Sequence, residues 1–202
     1  MAKLVRKEAM NQRMFEENID RDINEKEAKA IAVFTRDRIE RDFSIDEVLS
    51  DGYREEVFLC IEKISRERRV VRYKIIAGRN MEESANFYER CAKDPVFVKC
   101  YSFERIDLKD CFRPRAYVII WVMEYVTGGT IAEIKLDDIQ KLEIKNLVAT
   151  LHYRGLYHGD IARSNIMYGS EFKLIDPYYH DFEIKTLQRE DLTLLESILE
   201  EE

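Results

Sequence analysis

Residues 158–176 read HGDIARSNIMYGSEFKLID, and this stretch decides the fold. Two short apolar runs flank a Gly-Ser pair within it, a pattern that predicts a β-hairpin. A hairpin doubles the chain back on itself, so Asn165, just before the first strand, and Asp176, just after the second, lie at the same open end. Asp160 stands five residues before Asn165, on the loop that enters that end. The stretch therefore predicts three oxygen-bearing side chains in one small volume.

This set of side chains has the chemistry of phosphoryl transfer. Hard Mg²⁺ ions prefer carboxylate and amide oxygens and keep waters and nucleotide phosphates as further ligands, so Asp176 and Asn165 are the candidate metal ligands. A second carboxylate, outside the metal shell, is needed to orient and deprotonate an acceptor hydroxyl. Asp160 is the candidate for that role.

The pattern His-Gly-Asp-x-x-x-x-Asn, followed by an apolar strand that ends in Asp, resembles the catalytic loop and metal-binding segment of the protein-kinase-like superfamily. Gly159 after the histidine, Asp176-Pro177 in place of Asp-Phe-Gly and the short chain are most similar to its small atypical members. These include the lipopolysaccharide core heptose kinases, the RIO kinases and the KEOPS-complex kinase. The resemblance implies that His158 is structural. The alternative is a loop Asp, a capping Asn and a strand-terminal Asp in an unrelated fold.

The resemblance implies an α+β, two-lobed protein-kinase-like fold with a minimal C-lobe and an N-terminal helical extension. We expect the extension in residues 1–43, the N-lobe in 44–126 and the C-lobe in 127–202. Hydrophobic periodicity, turn residues and capping pairs predict the individual elements. These are a helix begun by Asn24 and Glu27, strands Ile45–Leu49, Val57–Ile64 and Val70–Ile76, a helix Met81–Lys93, strands Val96–Phe103 and Tyr117–Tyr125, a helix opened by Asp137 and Asp138 with Ile139, Leu142, Leu147 and Leu151 facing the core, and a final helix Gln188–Leu199.

Lys74 lies between apolar neighbours in the strand Val70–Ile76, where a lysine tends to carry its ammonium toward an anion. By resemblance to kinases, it is the lysine that binds the α- and β-phosphates of ATP. An exposed lysine on an edge strand is the alternative interpretation. Lys63 is the second candidate for phosphate binding.

Glu89 falls within the otherwise apolar stripe of the helix Met81–Lys93, and a buried carboxylate needs a cationic partner. It is our candidate for the ion pair that fixes Lys74, as in the kinase αC helix. Glu83 occupies the capping-box position, so capping is its expected role. An exposed Glu89 that pairs with Lys93 at i+4 is the alternative.

The run YVIIWVMEYV at residues 117–126, followed by Thr127-Gly128-Gly129, resembles the strand and hinge that join the two lobes of a kinase. The resemblance implies that the backbone of Glu124 and Val126 hydrogen-bonds adenine while apolar side chains sandwich the ring. Without the resemblance, the run is a buried strand followed by a flexible turn.

Three departures from the kinase pattern limit what the resemblance implies. Gly52 is the one glycine in the turn between the first two strands, so phosphate clamping by backbone amides is weaker or built differently. Gly159 replaces the arginine that pairs with a phosphorylated activation loop, so we expect no such switch. Pro177 removes the Asp-Phe-Gly flip. Arg163 is a candidate to neutralise charge on the transferring phosphoryl group, and a salt bridge on the loop explains it equally well.

Composition excludes several classes of protein. A hydrophobic content of 46% is enough for a core and excludes a disordered chain. The net charge of −7 argues against non-specific nucleic-acid binding. The four cysteines have no C-x-x-C pairing and no histidine at zinc spacing, so we expect reduced thiols. No apolar run approaches the ~20 residues of a membrane span, and a charged segment follows Met1, so we expect a cytoplasmic protein.

We therefore expect a kinase that uses ATP and Mg²⁺ to phosphorylate a hydroxyl of a lipopolysaccharide core sugar or of a protein Ser or Thr. An aminoglycoside-type small-molecule kinase is a third possibility. The rival class is a pseudokinase that binds a nucleotide or a protein partner, and the missing glycine-rich loop favours it. The opening helices of residues 1–43, with an apolar stripe at Met10, Met14 and Ile19, either dock on the neighbouring lobe or bind such a partner.

Overall fold

The computed structural model describes residues 23–52, 54–78, 80–108 and 116–200. Over these ranges the protein is an α+β structure with a five-stranded sheet, a two-stranded hairpin and four α-helices. The apolar stripe predicted before residue 23 lies outside the described residues. In chain order the elements are α1 (Glu25–Asp42), β1 (Phe43–Gly52), β2 (Glu55–Glu62), β3 (Arg68–Ala77), α2 (Met81–Lys93), β4 (Cys100–Asp107), β5 (Ala116–Glu124), a 3₁₀ turn (Ile131–Glu133), α3 (Asp138–Tyr153), a 3₁₀ turn (Arg163–Asn165), β6 (Ile166–Tyr168), β7 (Phe172–Leu174) and α4 (Ile184–Glu200).

The chain divides into two compact units. The first unit holds the residues up to Ala85 together with Glu104–Trp121, and the second holds Asn86–Phe103 together with the residues from Val122 onward. The two-lobed kinase arrangement and the division into residues 1–43, 44–126 and 127–202 stay predictions.

The large sheet has the strand order β1-β2-β3-β5-β4. Its first three strands form an antiparallel meander, in which Glu55 lies opposite Lys74 and Glu56 lies opposite Tyr73. The three strands predicted for this region are confirmed, with bounds that differ by a few residues. Because side chains alternate along a strand, Glu55, Arg72 and Lys74 share one face of the sheet, and Glu56 and Tyr73 share the other.

β4 begins at Cys100 rather than at the predicted Val96. The residues before β4 pair with β7 instead. The N–H of Val98 donates to the carbonyl of Leu174, and the N–H of Leu174 donates to the carbonyl of Val96, both at 3.0 Å. The neighbouring strand β5 is confirmed and is buried along almost its whole length, as its apolar composition requires.

α1 begins at the predicted capping pair, since the side chains of Asn24 and Glu27 each accept a hydrogen bond from the other's backbone N–H. The helix packs on the Glu56 and Tyr73 face of the sheet, where the Nε of Arg36 donates to Glu56 at 2.8 Å. Burial alone would raise the pKa of Glu56, but hydrogen bonds from Arg36 and Tyr73 hold the pKa below its ordinary value. This face of the sheet is therefore covered by the chain's own helix.

α3 starts where predicted, capped by Asp137, and Leu151 is buried as predicted, but two other residues predicted to face the core are exposed. Ile139 and Leu142 are 70% and 58% exposed. Successive helical residues turn by about 100°, so a residue two positions before the buried stripe points away from it. The buried face is formed by Ile144, Val148 and Leu151, at intervals of four and three residues.

The described cysteines Cys60, Cys91 and Cys100 are free thiols, as expected, and Cys111 lies outside the described residues. Burial raises the pKa of Cys60 to about 12, so this thiol stays protonated at neutral pH. Over the described ranges, no helix is both long enough and apolar enough to cross a bilayer.

Candidate functional site

The predicted hairpin is confirmed and lies in the second unit. β6 and β7 pair antiparallel, with Ile166 opposite Leu174 and Tyr168 opposite Phe172. At the open end, the N–H of Ile175 donates to the carbonyl of Asn165 at 3.0 Å. Since Asp176 directly follows Ile175, the hairpin brings the backbone of both candidate metal ligands to the same end.

Asn165 and Asp160 contact each other directly. The amide Nδ2 of the buried Asn165 donates to the backbone carbonyl of Asp160 at 2.9 Å and to its carboxylate Oδ2 at 3.0 Å. These bonds orient the exposed carboxylate of Asp160 and engage the amide nitrogen of Asn165. The amide oxygen of Asn165 is consequently the atom suited to a cation.

The donor set at this end fits Mg²⁺, because Asn165 and Asp176 offer one amide oxygen and one carboxylate, both hard ligands. In the part of the chain that the structure describes, no group of three or more His, Cys, Asp or Glu side chains could hold a metal ion. A cation here would therefore take waters or phosphate oxygens as its remaining ligands, which is how Mg²⁺ is usually bound beside a nucleotide.

His158 is fully buried and holds the loop onto the hairpin. Its Nδ1 accepts the N–H of Asp160 at 3.3 Å, so the proton sits on Nε2, which donates to the carbonyl of Ile175 at 2.7 Å. Burial lowers the pKa of His158, against smaller opposing effects of the Ile175 carbonyl and nearby carboxylates. The histidine is neutral and structural in these contacts, in agreement with the expectation.

Asp191 in α4 is a site residue that sequence reasoning missed. Its buried carboxylate accepts the N–H of His158 at 2.7 Å and the N–H of Gly159 at 2.8 Å, and it lies 3.0 Å from the Nε2 of His152. One side chain thus fixes two successive amides just before Asp160. A pattern in the sequence could have revealed it, because an acidic residue here replaces an apolar one in a stripe at four-residue spacing, Leu187, Asp191, Leu195 and Leu199.

Gly159 permits the segment after Asp176 to lie against the loop. Its φ is +78°, and an added Cβ would lie 2.2 Å from the carbonyl oxygen of Tyr178. The N–H of Tyr178 donates to the carbonyl of His158 at 2.7 Å, and the ring Nε2 of His180 lies 2.9 Å from the carbonyl of Gly159. Asp176 itself has a φ of +56°, a region that aspartate tolerates better than most residues. The loop and this segment therefore form one hydrogen-bonded body.

Arg163 does not form the salt bridge that was one of its two expected roles. Its guanidinium donates to three backbone carbonyls, those of Ile131 and Ile134 at 2.8 Å and that of Ile198 at 3.1 Å. These acceptors are neutral main-chain groups, so the contact is not a salt bridge. The guanidinium therefore ties the loop to a 3₁₀ turn and to α4. Its role in neutralising charge on the phosphoryl group stays a prediction.

Lys74 lies on β3 in the first unit, with its ammonium 3.0 Å from Glu55 Oε2. Arg72 binds the other oxygen of the same carboxylate. The structure does not support Lys63, the second candidate for phosphate binding. Its ammonium binds the backbone carbonyls of Glu40 and Arg41 at the end of α1. Lys63 thus satisfies the end of a helix and has no anion as its partner.

Glu89 lies at the edge of the buried face of α2, and its carboxylate is 2.5 Å from the ammonium of Lys93. The i+4 pair considered as the alternative is therefore present. The predicted pairing of Glu89 with Lys74 stays a prediction, as does a capping role for the exposed Glu83.

The segment after β5 packs on the turn of the hairpin. The N–H of Glu124 donates to the carbonyl of Lys99 at 2.9 Å, and a Cβ added at Gly169 would lie 3.1 Å from the side chain of Val126. An added Cβ at Gly128 would overlap the carbonyl oxygen of Tyr168 at 1.5 Å, so only glycine fits there. The adenine-binding role of Glu124 and Val126 stays a prediction.

Comparison with known proteins indicates a distant relationship to a kinase. The chain is 25% identical over 167 residues to the smooth muscle myosin light chain kinase of Gallus gallus, and the match covers 73% of this chain. It covers 8% of that much longer protein. No family model matches the chain. The similarity supports a kinase-like relationship without distinguishing among the small atypical kinases.

Proposed function

We propose that this protein is a kinase that uses ATP and Mg²⁺ to phosphorylate an acceptor hydroxyl. The observation that carries the proposal is the hydrogen bond between Asn165 and the Asp160 carboxylate on a loop fixed by Asp191. A base held in a defined orientation beside an amide oxygen and a second carboxylate is the arrangement that phosphoryl transfer requires. The distant similarity to a kinase supports the same conclusion.

In this proposal, each candidate site residue has a role. Asp160 accepts the proton of the acceptor hydroxyl. Asn165 and Asp176 would hold Mg²⁺, which when bound would neutralise charge on the phosphates. Lys74 binds the phosphates, and Glu89 fixes it. The backbone of Glu124 and Val126 binds adenine, and the carbonyl of Glu124 is the group we assign because its N–H already donates to Lys99.

Transfer of labelled phosphate from ATP tests this assignment. We expect Asp160→Asn to lower kcat by about 10²- to 10⁴-fold, the usual contribution of a positioned base. The matched control is Asp138→Asn, an exposed aspartate in the first turn of α3, which should behave as the wild type. Asp176→Asn should raise the Mg²⁺ concentration needed for half-maximal rate.

The acceptor is a lipopolysaccharide core sugar hydroxyl or a protein Ser or Thr in this proposal. A panel that contains a heptose-bearing core oligosaccharide, an aminoglycoside and a generic protein substrate separates these classes. The acceptor with the highest kcat/KM defines the class, provided that Asp160→Asn abolishes its phosphorylation.

A non-catalytic nucleotide-binding module is the second candidate, because Glu55 already pairs with Lys74 and Gly52, the last residue of β1, is the one glycine of the β1–β2 hairpin. In that case wild-type protein binds ATP but neither hydrolyses it nor transfers its phosphate. Calorimetric binding measured beside the transfer assay distinguishes the two candidates.

A further inference from the structure

A second charged cluster lies in the first unit, on the face of the sheet that α1 does not cover. Both carboxylate oxygens of Glu55 are engaged, one by the guanidinium of Arg72 and one by the ammonium of Lys74 at 3.0 Å. The side chains of Arg72 and Lys74 are only 7% and 17% exposed. The cluster is therefore largely withdrawn from solvent.

The strand register creates this cluster. Glu55 lies directly opposite Lys74 in the ladder between β2 and β3. Arg72 lies two residues before Lys74, so both side chains leave the strand on the same side. The guanidinium carbon of Arg72 is 5.4 Å from the ring centre of Trp121 on β5, within the range of a cation–π contact. The guanidinium of Arg72 thus contacts both the aromatic ring of Trp121 and the carboxylate of Glu55.

The geometry of the cluster suits an anion with several oxygens. The single carboxylate of Glu55 contacts the guanidinium of Arg72 and the ammonium of Lys74 at the same time. Guanidinium groups bind phosphate oxygens in the same planar geometry in which they bind carboxylates. A polyphosphate carries several negatively charged oxygens, so it can contact both cations at once, as the carboxylate of Glu55 does.

We propose that Arg72 and Lys74 together form a polyphosphate site, and that Glu55 occupies this site when no ligand is bound. On binding, the polyphosphate takes the place of the Glu55 carboxylate, which rotates toward solvent. Arg72 supplies with a side chain the phosphate contacts that a glycine-rich loop would supply with backbone amides. The inference rests on the proposed function only in naming the ligand as the phosphates of a nucleotide.

Trp121 offers a direct readout, because it is the one tryptophan of the chain and lies against Arg72. Inorganic tripolyphosphate and ATP are titrated into the full-length protein while tryptophan fluorescence and calorimetric heat are recorded. We expect Glu55→Gln to bind tripolyphosphate about tenfold more tightly and Arg72→Met to bind it at least about tenfold more weakly, given the strength of charge-assisted hydrogen bonds.

The other end of the same hairpin provides matched controls. Arg69 pairs with Glu62 at 3.3 Å and also with Glu67, so Glu62→Gln and Arg69→Met remove the same kinds of group from β2 and β3. We expect both variants to bind tripolyphosphate as the wild type does. Thermal unfolding of every variant identifies any loss of fold, and a misfolded protein would not produce the gain expected for Glu55→Gln.

Any one of three results would overturn the inference. The wild-type protein could bind no tripolyphosphate, Glu55→Gln could bind it no more tightly than the wild type, or a folded Arg72→Met could bind it with wild-type affinity. The proposed function is tested separately with Asp160→Asn. That variant should keep the wild-type affinity for tripolyphosphate and lose phosphoryl transfer. Tight binding without transfer in the wild type would refute the kinase proposal and leave the polyphosphate site standing.

Discussion

The two charged clusters of this protein are held in place by opposite means. In the second unit, Asp160 is positioned through its backbone and one oxygen by Asn165, His158 and the buried Asp191. In the first unit, Lys74 and Arg72 are held by Glu55, whose carboxylate is an anion, as the proposed ligand is. Under the two proposals, the loop is preorganised for phosphoryl transfer, whereas the cation pair has to exchange one anion for another.

Asp191→Asn replaces the carboxylate that positions the loop, and we expect it to have the largest effect of the variants considered. Asparagine offers one oxygen to two N–H groups and turns an NH₂ group toward one of them, in a fully buried position. We expect the free energy of unfolding to fall by about 3 kcal/mol and kcat to fall at least about a hundredfold.

Tripolyphosphate affinity is the contrasting readout for Asp191→Asn and should stay within about twofold of the wild type, because those cations lie on another element. Glu190→Gln, one residue earlier and exposed, is the matched control for stability and kcat. Loss of stability without loss of kcat would contradict a positioning role for Asp191.

Gly159→Ala breaks the contact between the loop and the segment after Asp176. The new Cβ would lie 2.2 Å from the Tyr178 carbonyl oxygen, and alanine is also strained at a φ of +78°. We expect a loss of about 2–3 kcal/mol in unfolding free energy, measured by chemical denaturation.

Gly155→Ala separates the steric contact from the conformational strain, the two causes of the loss expected for Gly159→Ala. Its φ is +69°, similar to that of Gly159, but the nearest atom to an added Cβ is 4.0 Å away, at the end of the Arg90 side chain. This variant should lose only the conformational part, about 1 kcal/mol. Equal losses in the two variants would show that the steric contact contributes nothing.

His158 makes the stability of the loop depend on pH. Burial lowers its pKa below the ordinary value of 6.5, so at acid pH the unfolded chain binds a proton that the folded chain does not. Stability from this group is therefore complete above pH 6.5 and declines as the pH falls toward the folded pKa, by at most about 1.4 kcal/mol per unit.

Urea denaturation between pH 7.5 and 5 measures this slope, and His158→Gln should flatten it. An unchanged slope in that variant would show that His158 is not the group that makes stability depend on pH.

Glu89→Gln tests whether Glu89 contributes to the cation site of the first unit, and we expect it to change stability least. Breaking the exposed pair with Lys93 should cost only about 0.3–0.5 kcal/mol, the value typical of i,i+4 pairs. If Glu89 also fixes Lys74, kcat should fall at least about tenfold, while Lys93→Met, which breaks the same helix pair, leaves kcat unchanged. Equal kcat values for the two variants would remove Glu89 from the proposed machinery.

The parts of the fold that could be predicted from the sequence depend on contacts between near neighbours in the chain. The Asn24 and Glu27 capping box, the cap at Asp137 and the hairpin after Asn165 involve residues only a few positions apart, and all three are confirmed. The errors in the predicted elements arose where contacts between segments distant in the chain determine the structure. β4 starts at Cys100 because the residues before it pair with β7. Ile139 and Leu142 of α3 were wrongly predicted to face the core because apolar spacing alone did not specify which side of the helix meets it.

The candidate site follows the same division. The spacing of Asp160 and Asn165 indicated their contact, because five residues of loop bring one side chain back to the other. The contacts of Arg163 could not be predicted because its acceptors are backbone carbonyls, which carry no signature in the sequence. Lys63 was considered for the same reason, since its partners are carbonyls at the end of α1.

The sequence by itself therefore predicted the candidate chemistry of this protein: two carboxylates and an amide at a spacing that suits a divalent cation and a base. Tertiary structure alone decided which groups hold that chemistry in place. Asp191 reaches the loop from a helix 33 residues farther along the chain, and Glu55 meets Lys74 through strand register. The physical reason is that a charged side chain pairs with whatever packing brings within about 3 Å, and packing is a property of the whole fold.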